Sequence, residues 1–299
     1  MRVEPLNGEP ASALAGDYRL DKRRIRRLAT RAAPHYENAA WLPRQVAAAL
    51  MEHLQPLRIQ PARILDAGAG TGICSRLLGR RYPRARIVSL DSSEAMLRSG
   101  RKHRWRWLSK QVHACGDADS LPLADASIDL LVSSLMLPSC PLPDAVLAEF
   151  RRVLAPGGAL MLASLGPDTL WELRESWAAV DRKVHVHAFI DMHDVGDALL
   201  RAGFHDVVMD VERFTGHYPD VASLQAEPKR LGLSNAAGGR RKSLTTRASL
   251  AAMQAAYEAF RGGERLPASF EVVFGHAWRP AARSVAVSTD GLLPRGRGA

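Results

Sequence analysis

Three carboxylates and three glycines form the chemistry-bearing set of this chain. Asp66 precedes Gly68, Gly70 and Gly72, which sit at alternate positions; Asp91 follows 23 residues after Gly68, and Asp117 follows Gly116. Glycine lets a backbone bend sharply or lie against a ligand with no Cβ in the way. An acid about 20 residues beyond such a turn is placed to accept both hydroxyls of a ribose. That much suits a dinucleotide as well as S-adenosylmethionine. The spacing Gly-x-Gly-x-Gly, however, is not the Gly-x-Gly-x-x-Gly that brings a pyrophosphate to a helix N-terminus. Asp66 would repel a pyrophosphate but suits an ammonium, and Asp117 suits an adenine amino group. Ribose, adenine and ammonium together describe S-adenosylmethionine, whose sulfonium methyl is transferable. Helix capping could account for one of these acids but hardly for all three. The expected site comprises Asp66, Gly68, Ala69, Gly70, Gly72, Asp91, Ser92, Met96, Asp117, Ala118 and Ser133, with no metal.

These residues need a frame. Short apolar runs at Ile64–Asp66, Arg86–Asp91, Gln111–Cys115, Ser127–Ser133 and Ala159–Ser164 alternate with helical patterns at Cys74–Arg81, Ser93–Lys102 and Asp144–Leu154. Pro156-Gly157-Gly158 reads as a turn ending the last of these helices. Such alternation predicts a parallel sheet covered on both faces, with ligands bound beyond the C-terminal strand ends. Each acid of the set closes a strand. Further on, Leu170–Val180 and Val195–Ala202 read as helices, and Phe204–Glu212 and Phe270–Trp278 as strands six and seven. An insertion at 213–269 separates those two, with a basic patch at Arg240, Arg241, Lys242 and Arg247, and Pro228 predicts a break in a helical run there.

Residues 1–16 and 281–299 lack periodicity and read as disordered tails; 17–60 reads as basic N-terminal helices, and 61–280 as the main domain. From Asp17 to Arg31 the chain carries seven basic residues and two acidic ones, with Leu20, Ile25, Leu28, Ala29 and Ala32 on one side of a helix. Trp41–Leu57 reads as a second helix.

The 299 residues, 46% hydrophobic, suffice for a sizeable core, and the net charge of +10 suits an acidic partner. Three dispersed cysteines, Cys74, Cys115 and Cys140, show no metal spacing and read as free thiols. No run long enough to cross a membrane and no secretory leader is evident, which predicts a cytoplasmic protein. A nucleic-acid acceptor is disfavoured. The place after strand four holds Ser133-Ser134-Leu135-Met136, without paired prolines or an aromatic to stack on a flipped base. The tryptophans of Arg104-Trp105-Arg106-Trp107 are expected beside strand three.

The architecture resembles the class I methyltransferases, Rossmann-like α/β proteins with a seven-stranded, mostly parallel sheet. That resemblance implies helices on both faces and an antiparallel last strand. A closer resemblance runs from about Asp17 to Pro280. It is carried by Asp21-Lys22-Arg23-Arg24-Ile25-Arg26-Arg27, by Arg31-Ala32-Ala33-Pro34-His35-Tyr36 and by Ala148-Glu149-Phe150-Arg151-Arg152-Val153-Leu154. Gly166-Pro167-Asp168-Thr169-Leu170, Phe189-Ile190-Asp191-Met192-His193-Asp194 and Phe270–Trp278 carry it further. These segments are similar to the malonyl-[acyl-carrier protein] O-methyltransferases of biotin biosynthesis. The resemblance implies methyl transfer to the free carboxylate of a malonyl thioester on acyl carrier protein. An ionised carboxylate needs no general base. Acceptor-side candidates are Tyr36, Ser134 and His185. The acidic carrier protein is expected to dock on Arg23, Arg24, Arg27, Arg151 and Arg152.

Two segments depart from the family pattern. Ser134-Leu135-Met136-Leu137-Pro138-Ser139-Cys140 stands where the family reads Asn-Leu-x-Leu-Gln-Trp-Cys, and His185-Val186-His187 where it reads His-Val-Asn. Another small acid, a quinone-like ring carbon, or a silent cofactor-binding role are the alternatives these departures leave open.

Overall fold

A computed structural model describes residues 19–102, 111–186, 188–240 and 243–281. The expectations for both tails, Asp17, Arg104–Trp107, His187, Arg241 and Lys242 concern residues outside those described. The sheet holds seven strands in the order β3-β2-β1-β4-β5-β7-β6. β1 (Arg63–Ala67), β2 (Arg86–Asp91), β3 (Gln111–Cys115), β4 (Ile128–Ser134) and β5 (Leu154–Leu165) run parallel. β7 (Leu266–Trp278) is antiparallel both to β5 and to β6 (His205–Tyr218).

Strand alternation decides which layer each side chain feeds. Ile64, Leu130, Val132 and Met161 join one core with α3 (Trp41–His53) and α4 (Ile73–Arg81). Leu65, Leu131, Leu160 and Leu162 join the other with α6 (Pro143–Val153) and α8 (Met192–Arg201). Burial on both faces explains why β1 and β4 carry consecutive apolar residues, Ile64-Leu65 and Leu130-Leu131-Val132, in place of strict alternation. Each such side chain contributes about 1.5–3 kcal/mol by leaving water. No described helix is long and apolar enough to cross a membrane.

The N-terminal region departs in detail from expectation. α1 spans Lys22–Ala32, where Asp21 caps it by accepting a hydrogen bond from Arg24 N at 2.9 Å. Leu20 thus lies outside the helix and bridges to Ala237. A one-turn helix, α2 (Tyr36–Ala39), follows. α5 (Glu94–Lys102) lies beneath α1, with Met96 packed against Ala32 and Ala33.

In the second half, β6 and β7 are longer than predicted. Beyond Glu212 and Val272, where β5 ends, they continue as a two-stranded ribbon with Phe214 opposite Phe270 and Tyr218 opposite Leu266. The insertion is accordingly 219–265, not 213–269. Pro228 does not break α9 (Val221–Arg230); it lies in the last turn, so it forfeits its own N–H bond but leaves little helix beyond it to disrupt. Pro156-Gly157-Gly158 also lies inside β5, where Gly157 at φ +76° accommodates the irregular register with β4.

The insertion returns to the body through α10 (Arg247–Tyr257), which packs on α7 (Trp171–Ala178) through buried Met253 and Tyr257. Glu172 of α7 is buried and accepts from Ser269 N at 3.1 Å and Ser269 Oγ at 2.5 Å. Removing that acceptor strands two donors. Glu172→Ala is therefore expected to lower unfolding free energy by about 3 kcal/mol, read by urea denaturation. Cofactor affinity should be unchanged, because the site lies at the other strands.

Candidate functional site

The chain turns sharply after β1. Gly68, Gly70 and Gly72 all have positive φ, at +75°, +54° and +78°. Gly68 N and Ala69 N both donate to Leu90 O, at 2.8 and 2.9 Å, which folds the loop onto the end of β2. A Cβ at Gly68 would lie 2.5 Å from Met136 Cβ, so glycine is required where the loop after β4 presses in. A Cβ at Gly70 would meet nothing within 4 Å. Gly100 of α5 carries no sequence signal of its own, yet a Cβ there would lie 2.6 Å from Thr71 O, so its absence lets α5 support the loop.

Asp91 clamps this turn. Its Oδ2 accepts from Gly70 N at 2.9 Å and its Oδ1 from Ser93 N at 2.7 Å. Burial raises its pKa above the ordinary range, although the two backbone bonds oppose the shift. Asp66 is 1% exposed; its Oδ2 accepts from Ser75 Oγ at 2.5 Å, while its buried Oδ1 has no hydrogen-bond partner among the described residues. Burial pushes its pKa up to about 6, the Asp91 charge adding to the effect and the Ser75 bonds opposing it. A buried acceptor without a donor is uncommon. It fits a group that brings donors and positive charge.

Glu37 of α2, which no sequence motif flagged, ties the N-terminal segment to the loop. It accepts from Thr71 Oγ1 at 2.7 Å, Arg76 Nη2 at 2.9 Å and Arg44 Nη2 at 2.7 Å. Burial works against its charge, but these donors outweigh burial and hold its pKa below the usual carboxylate range.

A cleft of about 80 Å³ opens beside the turn, lined among others by Gly68, Asp91, Ser92, Asp117, Ala118 and Met136. Lys22 and Ile25 of α1 close one side of it. Lys22 Nζ lies 2.8 Å from Asp119 and 3.3 Å from Asp117, and Arg26 Nη2 lies 3.1 Å from Asp117. The Asp117 carboxylate thus faces α1. The pairs are part-exposed, so Lys22→Ala is expected to change stability by under about 1 kcal/mol. It should nonetheless speed cofactor entry and release in stopped-flow fluorescence. Unchanged rates would mean that α1 is no barrier.

Other expected residues fall elsewhere. Met96 is covered by α1 and lies outside the cleft lining. Ser133 is 2% exposed within β4, between Ala67 and Leu162, and Ser134 pairs with Ala163. Leu135, at φ +57°, then redirects the chain. Met136, Ser139 and Cys140 take the cleft positions instead. Tyr36 packs between α1 and Leu231, and burial with the Asp91 charge raises its phenol well above the ordinary value. His185 stacks on Trp177 at 3.8 Å, with Nε2 2.7 Å from Asp181 Oδ1, and lines neither the cleft nor the chamber described below.

The arginines divide. Arg23 and Arg27 are exposed on the outer side of α1, and Arg24 Nε donates to Asn235 O at 3.1 Å. Arg151 and Arg152 lie apart from these, where β4 begins, at the sheet end opposite the cleft. Arg151 Nε donates to Gly203 O, while Arg152 is engaged by Glu149, Asp125 and the carbonyls of Leu121 and Leu123. These partners make both residues internal fasteners.

Two further features lie near and far. A chamber of about 150 Å³ adjoins the cleft across Leu137–Cys140, lined by Leu20, Leu137, Pro138, Phe189 and Ile190 among others. On the distant outer face of β6, His53, Asp210 and Glu212 bring ligand-type atoms within 4.8 Å of one another. His53 Nε2 lies 2.9 Å from Glu212 Oε1, a hydrogen-bond contact between two of the three.

A family model described as "Methyltransferase domain" matches residues 65–162. The chain is 48% identical over 278 residues to a malonyl-[acyl-carrier protein] O-methyltransferase of Laribacter hongkongensis, covering 91% of this chain and 94% of that protein. It is 44% identical to the protein of the same name from a Methylovorus species, covering 94% and 96%. Among solved structures it superposes on the Bacillus subtilis YcgJ protein with a TM-score of 0.56 at 14% identity, covering 78% and 98%. It also superposes on the [4+2]-cyclase SpnF with a TM-score of 0.51 at 20% identity, covering 80% and 82%. These superpositions establish the shared fold alone, since one fold hosts many chemistries.

Proposed function

The chain belongs to the malonyl-[acyl-carrier protein] O-methyltransferase family, and from that membership we propose that it methylates the free carboxylate of a malonyl thioester on acyl carrier protein, with S-adenosylmethionine as donor. The observation that carries the donor assignment is the buried, donorless Oδ1 of Asp66 beneath a glycine turn clamped by Asp91. Asp66 would face the donor's ammonium, Asp91 its ribose, and Asp117 its adenine once Lys22 and Arg26 yield. Bound there, the donor supplies a methyl carbon on sulfonium; the new bond is carboxylate oxygen to methyl carbon, and the carbon–sulfur pair stays on sulfur.

This chain has little proton work to do. A malonyl carboxylate is ionised at neutral pH, so the nucleophile needs no base. Opposite charges meet and vanish in the reaction. A tight salt bridge to the carboxylate would therefore stabilise the starting state more than the transition state. Alignment and exclusion of water are the useful contributions, and Ile25, Met136 and Cys140 around the cleft can supply them. Arg23 and Arg27 would steer the acidic carrier protein, with Arg24 holding the neighbouring loop. Methylation removes the charge from the end of the acyl chain, which fits the ester role in biotin biosynthesis.

Incubation with methyl-labelled S-adenosylmethionine and malonyl-carrier protein, malonyl-CoA or tRNA in parallel tests the assignment. Label is expected on the malonyl-carrier protein and absent from tRNA. Label on tRNA alone, or on no malonyl thioester despite donor binding, would overturn it.

A further inference from the structure

The geometry points to the 150 Å³ chamber behind Leu137–Cys140 as the site that receives the acyl-thioester arm of the acceptor, delivering the carboxylate past Cys140 into the donor cleft. This rests on the acceptor reading above.

Position is the first argument. Cys140 and Pro141 contribute to the linings of both spaces, so cleft and chamber share one wall. Ser164, near the C-terminal end of β5, also lines the chamber, which therefore opens at the functional edge of the sheet.

Chemistry is the second. Leu20, Leu137, Pro138, Phe189 and Ile190 are apolar; among the described residues of the lining none is a carboxylate, and Arg19 alone is charged. Such walls suit an uncharged thioester and methylene, and the acids that lie toward Cys140 on the cleft side, Asp117 and Asp119, are paired with Arg26 and Lys22. A cavity of about 150 Å³ holds a benzene-sized group, the scale of a malonyl head.

Access is the third. Arg19 and Leu20 are held to the insertion by Gly238 N donating to Arg19 O at 2.9 Å and by the Leu20–Ala237 bridge. Asp21 N donates to Ala236 O at 3.0 Å next to them. The chamber therefore opens beside the start of α1, where Arg24, Arg27 and Arg240 gather. A carrier protein on that basic surface would have its arm at the chamber mouth.

The shared wall is also chemically quiet. Burial pushes the Cys140 thiol up to about 12. Thiolate is the nucleophilic form, so at neutral pH Cys140 does not compete with the acceptor for the methyl.

Ile190→Trp and Ala237→Phe fill the chamber from two sides. Each is expected to lower kcat/KM for malonyl-carrier protein at least about tenfold, while the Kd for S-adenosylmethionine stays within about twofold. Undiminished transfer by either variant would overturn the chamber. A second measurement uses the wild-type chain and so does not depend on the variants folding. A diazirine-bearing acyl-pantetheine should, on irradiation, label peptides containing Leu137–Cys140 or Phe189–Ile190. Labelling confined to other peptides would overturn the proposal. Wild-type protein that labels there but transfers no methyl to malonyl-carrier protein would sink the assigned reaction and leave the chamber standing.

Discussion

Asp91→Ala is expected to abolish the thermal stabilisation conferred by S-adenosylmethionine and to weaken donor binding by two orders of magnitude or more. Two effects combine. The carboxylate is the acceptor for Gly70 N and Ser93 N, so its loss leaves two backbone donors unpaired and frees the glycine turn. Each stranded donor costs roughly 1–3 kcal/mol. The ribose loses its acceptor as well, and an acceptor that is charged contributes about 1.5–3 kcal/mol on its own. Differential scanning fluorimetry with and without donor separates the two: a lower melting temperature reports the turn, and loss of the ligand-induced shift reports the ribose. A variant that melts lower yet keeps a full ligand shift would make Asp91 a clamp only.

Asp66→Asn is expected to push stability and affinity in opposite directions. The Asp66 pKa of about 6 in the folded chain stands above the ordinary carboxyl value. Between roughly pH 4 and 6 the unfolded chain has released this proton and the folded chain has not. The group's contribution therefore falls as pH rises through that window and stays unfavourable above it. A difference of that size between folded and unfolded chain corresponds to roughly 3 kcal/mol. Asparagine removes the buried charge and can still accept from Ser75 Oγ. The donor-free variant should thus be more stable than wild type by about 1–3 kcal/mol near pH 8. The advantage should disappear below about pH 4, where wild type is protonated in both states. Donor affinity should meanwhile fall at least about tenfold, because a neutral amide replaces the partner of an ammonium. Urea denaturation across pH and titration calorimetry measure the two quantities. Gain in stability with unchanged affinity would remove Asp66 from the donor site.

What is legible in the chain is local or periodic. The glycine turn and Asp91 can be read because both sit at strand ends whose apolar runs mark them. The parallel sheet is similarly accessible, since alternation of strands and helices leaves few topologies. Glu37 is not legible. Its donors Thr71 and Arg76 lie more than thirty residues away, and only the packing of α2 brings them together. Arg151 and Arg152 look in sequence like any exposed helical charge, and only the fold turns Arg152 back onto Glu149, Asp125 and two carbonyls. Ser133 and Ser134 lie within β4, whose end the alternation of side chains does not mark. The positive φ of Leu135 hands the cleft to Met136 instead. The ribbon of β6 and β7 exceeds expectation because its pairing continues past the end of β5, a limit no periodicity marks.

Helix α1 has two working sides. Lys22 and Arg26 reach inward to Asp119 and Asp117 across the cleft, while Arg23 and Arg27 point outward. A partner docked on the outer side would bear on the same helix that closes one side of the cleft. With the carrier protein in that place, the donor would have to enter first and the spent donor would leave only after the carrier had gone. Carrier departure would then be the release step for both products.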